Sequence, residues 1–118
     1  MTEVLREVTL DHLDAIEIGA AILGTGGGGN PYIGKLRCRE QLRMGRKIPV
    51  IPLDELPDDA LVVSLGGIGA PVVGVEKIEE GEECLRALRA VEEEVGKKVD
   101  ALISAEIGGA NSMEPMLT

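Results

Sequence analysis

Residues 61–70 read LVVSLGGIGA and residues 99–109 read VDALISAEIGG, and these two stretches decide the fold. Each opens with a short apolar run, Leu61–Leu65 in the first and Val99–Ala105 in the second, which is typical of a buried β-strand. Each run is followed by glycines, which predict that the strand ends in a loop. The two stretches therefore predict two strands that each lead directly into a glycine-rich turn.

The segment between these strands predicts a helix from about Glu80 to Val95, ended by Gly96. Apolar residues recur along it at helical spacing and mark one face: Leu85, Leu88, Val91 and Val95. A strand, a long helix and a second strand form a βαβ unit, in which the two strands run parallel. We therefore expect an α/β fold.

Two further helices are predicted upstream. The first runs from about Asp11 to Leu23, with Thr9 or Asp11 as the side chain that caps its free N–H groups. The second runs from about Pro31 to Met44, because Asn30 is a good N-cap and proline suits the first helical position. Glycines separate the two helices, so the intervening segment is a loop.

Three shorter segments complete the pattern. The prolines in Ile48–Leu53 limit it to an edge strand or a loop, because proline cannot donate to a sheet ladder. Val72–Val75 fits either a short extended segment or the start of a broken helix. From Ala110 onward the chain resembles a helix that begins and does not develop.

The expected fold is a mixed or parallel sheet with flanking helices and glycine-rich loops at the strand ends. One or two parallel strands cannot cover their own edges. We therefore interpret residues 1–118 as the amino-terminal part of a single α/β domain that is incomplete by itself. The uncovered strands, Leu61–Leu65 and Val99–Ala105, lead us to expect a homo-oligomer.

Composition excludes several classes of function. A net charge of −9 argues against a nucleic-acid partner, which requires a basic surface. No apolar run approaches the ~18 residues that span a membrane, and the charged amino terminus lacks a signal-peptide core. Cys38 and Cys84 lie far apart in no metal-binding spacing, and we interpret them as reduced core residues. We expect a cytoplasmic protein.

Most of the 16 glycines lie in three clusters, at 24–34, 66–69 and 108–109. Ligands of open α/β sheets bind outside the carboxyl ends of the strands, where the second and third clusters are expected to meet. Tight turns alone would also explain glycines, but consecutive glycines are costly to order, and a backbone that must approach a ligand does require them. The expected ligand-binding residues are Gly24, Thr25, Gly26, Gly27, Gly28, Gly29, Asn30, Gly66, Gly67, Gly69, Gly108, Gly109, Asn111 and Ser112.

Neither of two nucleotide motifs is complete. Gly24-x-Gly26-x-x-Gly29 has dinucleotide spacing but follows a predicted helix instead of a strand. The spacing from Gly29 to Lys35 fits a phosphate-binding loop, but the next residue is Leu36 where Ser or Thr would bind magnesium. We therefore expect neither NAD nor ATP as a cofactor.

The second predicted helix and the turn after it are basic within an acidic protein. Only Glu40 opposes a set of six cations: Lys35, Arg37, Arg39, Arg43, Arg46 and Lys47. This pattern fits a solvated face or salt bridges to the acidic third helix. It also fits a carboxylate-bearing ligand or an anionic partner surface.

Few residues are suited to catalysis. His12 is the only histidine, and its place in the first turn of a helix favours capping. Glu106 is the best-placed carboxylate, after a strand and before Gly108 and Gly109, and we take it as the candidate catalytic residue. With Asn111 and Ser112 nearby, it could bind a divalent metal, orient a water molecule or act as a base. The same residues would also fit the capped start of a helix, so the sequence leaves open whether they bind a metal ion.

Three stretches carry a family resemblance: Leu23–Tyr32, Gly66–Pro71 and Glu106–Ser112. In this order and at these separations they resemble the S-methyl thiohydantoin desulfurase-like family, first grouped as a domain of unknown function. The genes of that family often accompany hydantoinase/oxoprolinase subunits. The resemblance extends over essentially the whole chain, and the family chain is longer, with a further acidic and glycine-rich segment expected after Thr118.

The resemblance implies a role in thiohydantoin or cyclic amide metabolism. The leading expectation is a part of a hydrolase-type enzyme, a desulfurase when full length, that acts on thiohydantoin or related five-membered cyclic amide or imide rings. The alternative is a non-catalytic subunit that docks on a hydantoinase/oxoprolinase partner. Under the first reading, the ligand is a small cyclic amide.

Overall fold

The structure is a computed structural model, and it describes residues 3–70 and 72–118. The helices are α1 (Leu13–Gly24), α2 (Pro31–Arg43), α3 (Val73–Glu76) and α4 (Glu83–Val95). The strands are β1 (Glu7–Val8), β2 (Ile48–Pro49), β3 (Val62–Ser64) and β4 (Ala101–Ile103). Short 3₁₀ segments cover Leu10–His12, Leu53–Glu55 and Ala110–Met116. The last of these is called the short helix below.

The predicted βαβ unit is confirmed. Strands β3 and β4 pair in parallel, with Val62 opposite Ala101 and Ser64 opposite Ile103, and α4 lies between them in sequence. The pairing continues beyond the strands, because the backbone N–H of Leu65 donates to the Ile103 carbonyl at 2.9 Å. The carboxyl ends of the two strands, and hence their glycine loops, lie at the same edge.

Strand β1 was not predicted. It pairs antiparallel with β2, with Val8 opposite Ile48, so the proline-containing segment is an edge strand over only two residues. A two-residue strand has no period to detect in the sequence. Its existence depends on a partner about 40 residues away in the chain.

The prediction that Leu61–Leu65 and Val99–Ala105 are buried strands is wrong for most of their residues. Val62 is 38% exposed and Ile103 is 56% exposed, and only Leu65 is buried. The helix α4 has no buried residue. A two-stranded sheet beside one helix has too little surface to enclose both of its faces.

The helix predictions are confirmed, with ends within about three residues. The Asn30 side chain accepts a hydrogen bond from the Tyr32 backbone N–H at 3.0 Å and begins α2. Gly45 and Gly96, which follow α2 and α4, have positive φ values of 85° and 71°. The segment that includes Val72–Val75 forms the single-turn helix α3, which agrees with the broken-helix alternative.

The core lies between α1, α2, the β1–β2 pair and the short helix. Its buried members are Val8, Leu13, Ala20, Cys38, Ile48 and Met113. The short helix is therefore a core element, because Met113 is completely buried. A Cβ atom at Gly34 would lie 2.9 Å from the Met113 sulfur, so glycine in α2 is what admits this side chain.

Much apolar surface stays uncovered. The accessible surface is 8484 Å², whereas the usual scaling for a 12.4 kDa monomer gives about 6,100 Å². The radius of gyration is 14.6 Å, against about 13.5 Å expected for this length. Ile68 and Ile78 are fully exposed. The chain is thus a mixed α/β fold with open apolar faces.

None of the helices in residues 3–70 and 72–118 has the length and apolar character that a membrane crossing requires.

Candidate functional site

The structure brings the first and third glycine clusters into direct contact. The Gly109 N–H donates to the Ala20 carbonyl at 2.9 Å, at the end of α1. The Asn111 N–H donates to the Gly28 carbonyl at 2.9 Å, and the Ala110 N–H donates to the Gly29 carbonyl at 3.2 Å. The loop after α1 and the loop after β4 are therefore joined by backbone hydrogen bonds.

The contact between these two loops is one reason why several of their positions require glycine. A Cβ atom at Gly108 would overlap the backbone of Gly24, and one at Gly109 would overlap the backbone of Gly27 and Gly28. Backbone atoms cannot move aside cheaply, and Gly109 also has φ +69°. Close packing between the two loops therefore accounts for glycine at these positions, whereas a Cβ at Gly26 would meet none of the described residues within 4 Å.

The second cluster is attached through one side chain, that of Asn111. Its Oδ1 accepts a hydrogen bond from the Gly67 N–H at 2.8 Å, and its Nδ2 donates to the Gly67 carbonyl at 2.8 Å. The same Nδ2 also donates to Glu106 Oε1 at 3.2 Å. Asn111 therefore holds the loop after β3 against the loop after β4.

Glu106 lies where the clusters meet. One carboxylate oxygen accepts from Asn111, and the other lies 2.5 Å from where a Cβ atom at Gly28 would be. The Glu106 N–H donates to the Ser104 hydroxyl at 3.1 Å, which fixes the backbone at this turn. Glu106 itself is exposed, so an incoming molecule can reach its carboxylate.

The remaining predicted site residues either stabilise the local backbone or lie outside the contacts between the loops. Thr25 ends α1 in the left-handed conformation, and Asn30 uses its side chain as the cap of α2. The Ser112 hydroxyl donates to the Gly109 carbonyl at 2.7 Å, within the turn that starts the short helix. A Cβ atom at Gly69 would meet none of the described residues within 4 Å.

The contacts of His12 and the grouping of possible metal ligands bear on two chemical roles considered from the sequence. His12 Nδ1 accepts from the Thr9 N–H at 2.9 Å, as expected for a capping residue. Among the described residues, no three His, Cys, Asp or Glu side chains are grouped so as to hold a metal ion.

The cations of α2 are used largely in ion pairs. Lys35 contacts both Asp14, at 3.2 Å, and Glu17 of α1, and the hydrogen bond that it donates to Glu17 contributes most to raising the pKa of Lys35. Arg43 pairs with Glu40 at 3.4 Å. The predicted salt bridges to the acidic third helix are therefore wrong for these two cations, whose partners lie on α1 and α2.

One polar cluster was not predicted. Glu114 is 7% exposed and accepts from Arg37 at 2.8 Å and from the Cys84 thiol at 3.4 Å. Arg37 and Cys84 also line an open groove of about 470 Å³ between α2 and the start of α4, to which no predicted ligand residue contributes. Burial, with the Glu114 charge next, raises the pKa of Cys84 to about 11, so at neutral pH it is a thiol.

The chain matches the family described as S-Me-THD-like, N-terminal domain, over residues 11–118. No curated protein matches the chain, and no solved structure matches it.

Proposed function

Because the chain belongs to the S-Me-THD-like N-terminal domain family, we propose that it supplies the ring-binding part of a hydrolase-type enzyme. The substrates are thiohydantoins or related five-membered cyclic amides and imides. The observation that carries the proposal is the meeting of the Glu106 carboxylate, the Asn111 amide and the glycine loops. The family supports the thiohydantoin association, and the geometry supports the choice of residues.

A cyclic imide or thiohydantoin presents a ring N–H flanked by two acceptor groups. An exposed carboxylate such as Glu106 can accept from that N–H, while backbone N–H groups donate to the flanking acceptors. Glycines without side chains allow a flat ring to approach the backbone closely. The exposed loop residues Gly26 and Gly66 therefore suit a ring that lies against the loops.

Hydrolysis requires an activated water molecule, and Glu106 is the carboxylate that lies where the glycine loops meet. In the proposed step, Glu106 takes a proton from water as the water oxygen forms a bond to the ring carbon that bears the S-methyl group. The carbon–sulfur bond then breaks, methanethiol leaves with the proton that Glu106 took, and the second proton of the water passes to the ring nitrogen. The ring retains the oxygen as a carbonyl group.

Substitution of the carboxylate tests the role of Glu106. We expect Glu106→Gln to reduce thiohydantoin hydrolysis at least about 100-fold, because general-base contributions are typically of this size or larger. The amide is isosteric and can still accept from Asn111, so the loops stay in place. The assay follows methanethiol release by thiol titration at saturating substrate.

Glu94→Gln, an exposed carboxylate on α4, is the matched control and should retain full turnover. Asn111→Ala separates binding from chemistry, because release of the Gly67 loop should raise KM more than it lowers kcat. Turnover by Glu106→Gln within twofold of the unsubstituted protein would refute the proposed base.

A further inference from the structure

The short helix Ala110–Met116 carries a residue of the candidate site and a buried acid one turn apart. Asn111, near its start, holds the loop after β3 and contacts Glu106. Glu114 is buried and pairs with Arg37 of α2. A 3₁₀ helix has three residues per turn, so residues at i and i+3 lie on the same face. A tilt of the short helix that moves Glu114 therefore moves Asn111 as well.

The short helix has little stability of its own. Its 3₁₀ hydrogen bonds have poorer geometry than those of an α-helix, and Pro115 within it has no N–H to donate. Its orientation is therefore set by contacts with other elements. One of these contacts is the packing of Met113 against Gly34 of α2, and another is the ion pair between Glu114 and Arg37 at 2.8 Å.

The ion pair controls the orientation of the short helix more strongly than its volume suggests. Glu114 is the only charged residue of the short helix, and a buried carboxylate is costly without a cation beside it. Arg37 and Cys84, which both contact Glu114, also line the open groove, so water can reach the carboxylate from there once the guanidinium is removed. A turn of the short helix toward this water is then favoured.

We infer that Arg37 is a positioning residue for the candidate site. Through Glu114 it fixes the orientation of the short helix. The short helix in turn places the Asn111 amide between Gly67 and Glu106. The effect on hydrolysis rests on the proposed function, whereas the coupling of Arg37 to Asn111 does not.

The kinetics of methanethiol release from an S-methyl thiohydantoin test the effect on the site. We expect Arg37→Met to raise KM at least about fivefold, because a displaced Asn111 releases the Gly67 loop. In an Asn111→Ala background the same substitution should raise KM less than about twofold, since the side chain through which Arg37 acts is already gone. Arg37→Lys keeps a cation beside Glu114 and should hold KM within about twofold of the unsubstituted protein.

Two controls separate positioning from a general loss of stability. Arg43→Met removes an exposed cation from the same helix, and Ile48→Ala opens a cavity in the core at β2, outside the loops and the short helix. Each should leave KM within about twofold at a temperature at which circular dichroism shows the native state. A rise in KM for Ile48→Ala that equals the rise for Arg37→Met would overturn the inference. Equal effects of Arg37→Met with and without the Asn111 side chain, or an Arg37→Lys variant as impaired as Arg37→Met, would overturn it too.

A nuclear magnetic resonance measurement tests the coupling without any substrate. Residues 1–118 contain two asparagines, Asn30 and Asn111, and ¹⁵N-asparagine labelling makes their side-chain amides visible, with Asn111→Ala as the assignment. Arg37→Met should shift the Asn111 signals, whereas those of Asn30, the cap of α2, should stay in place. If the protein hydrolyses no thiohydantoin, the proposed function fails and the resonance shifts alone decide this inference. Asn111 signals that Arg37→Met leaves unchanged would overturn it.

Discussion

The ion pair between the half-buried Arg37 and the buried Glu114 allows a prediction of stability. The two side chains are 29% and 9% exposed, and their atoms are 2.8 Å apart. Replacement of Arg37 by Met keeps most of the side-chain volume and removes the cation. Among the described residues, the Cys84 thiol is then the one hydrogen-bond partner left to the buried Glu114 carboxylate.

Loss of one partner from a fully buried pair costs about 3–5 kcal/mol, because an uncompensated charge is left in the interior. Arg37 is partly exposed, so water can reach the vacated position and replace some of the lost interaction. We therefore expect Arg37→Met to lower the free energy of unfolding by about 2–3 kcal/mol.

The control lies on the same helix. Arg43 pairs with Glu40 at 3.4 Å, but those side chains are 59% and 60% exposed. An exposed pair of this kind contributes about 0.5 kcal/mol or less. Arg43→Met should therefore change the free energy of unfolding by no more than that.

Urea denaturation followed by far-ultraviolet circular dichroism measures both variants, since the chain has no Trp and one Tyr. A double-mutant cycle with Glu114→Gln isolates the coupling between the two side chains. If Arg37→Met lowered the free energy of unfolding by no more than Arg43→Met does, the burial of Glu114 would not make the protein depend on Arg37. That result would refute the prediction.

Two further predictions concern the thiols and the glycine contact. Burial raises the pKa of Cys38 from its ordinary 9.0 to about 11; its stabilising contribution is therefore complete below pH 9 and is lost as pH rises to 11, by up to about 1.4 kcal/mol per pH unit. Urea titrations from pH 8 to 11 should show this decline, and an equally steep decline in Cys38→Ala would contradict the assignment. Gly109→Ala should destabilise the chain by about 3 kcal/mol or more, because the new Cβ meets backbone and φ is positive. Gly69→Ala places its Cβ more than 4 Å from every described residue, so it should change the free energy of unfolding by no more than about 0.5 kcal/mol. Equal effects in the two variants would refute the contact.

Local signals in the sequence predicted the local structure well. Asn30 and Pro31 indicated where α2 begins, and Gly45 indicated where it ends, because caps and positive φ values depend on adjacent residues only. The parallel order of β3 and β4 followed from the helix between them. The meeting of the glycine loops also agrees with the sequence, since parallel strands end at a common edge.

Features that depend on distant residues were not predictable. Arg37 and Glu114 are separated by 77 positions, and nothing near Glu114 marks it as buried. Strand β1 has two residues and exists only through β2. The exposure of β3 and β4 was missed because an apolar run indicates a tendency to be buried, not whether a covering surface is present.

The sequence by itself determined the helices, the βαβ order, the glycine loops and the acidic charge of this protein, because each follows from the properties of neighbouring residues. Only the tertiary structure decided that the short helix completes the core and that Asn111 joins two loops at Glu106. It also decided that Leu13 and Ala20 of α1 are buried while Ile18 and Ile22 stay exposed. Those outcomes depend on which surfaces meet. Contacts between remote segments are set by the sum of many small packing and hydrogen-bond energies, which no single stretch of the chain contains.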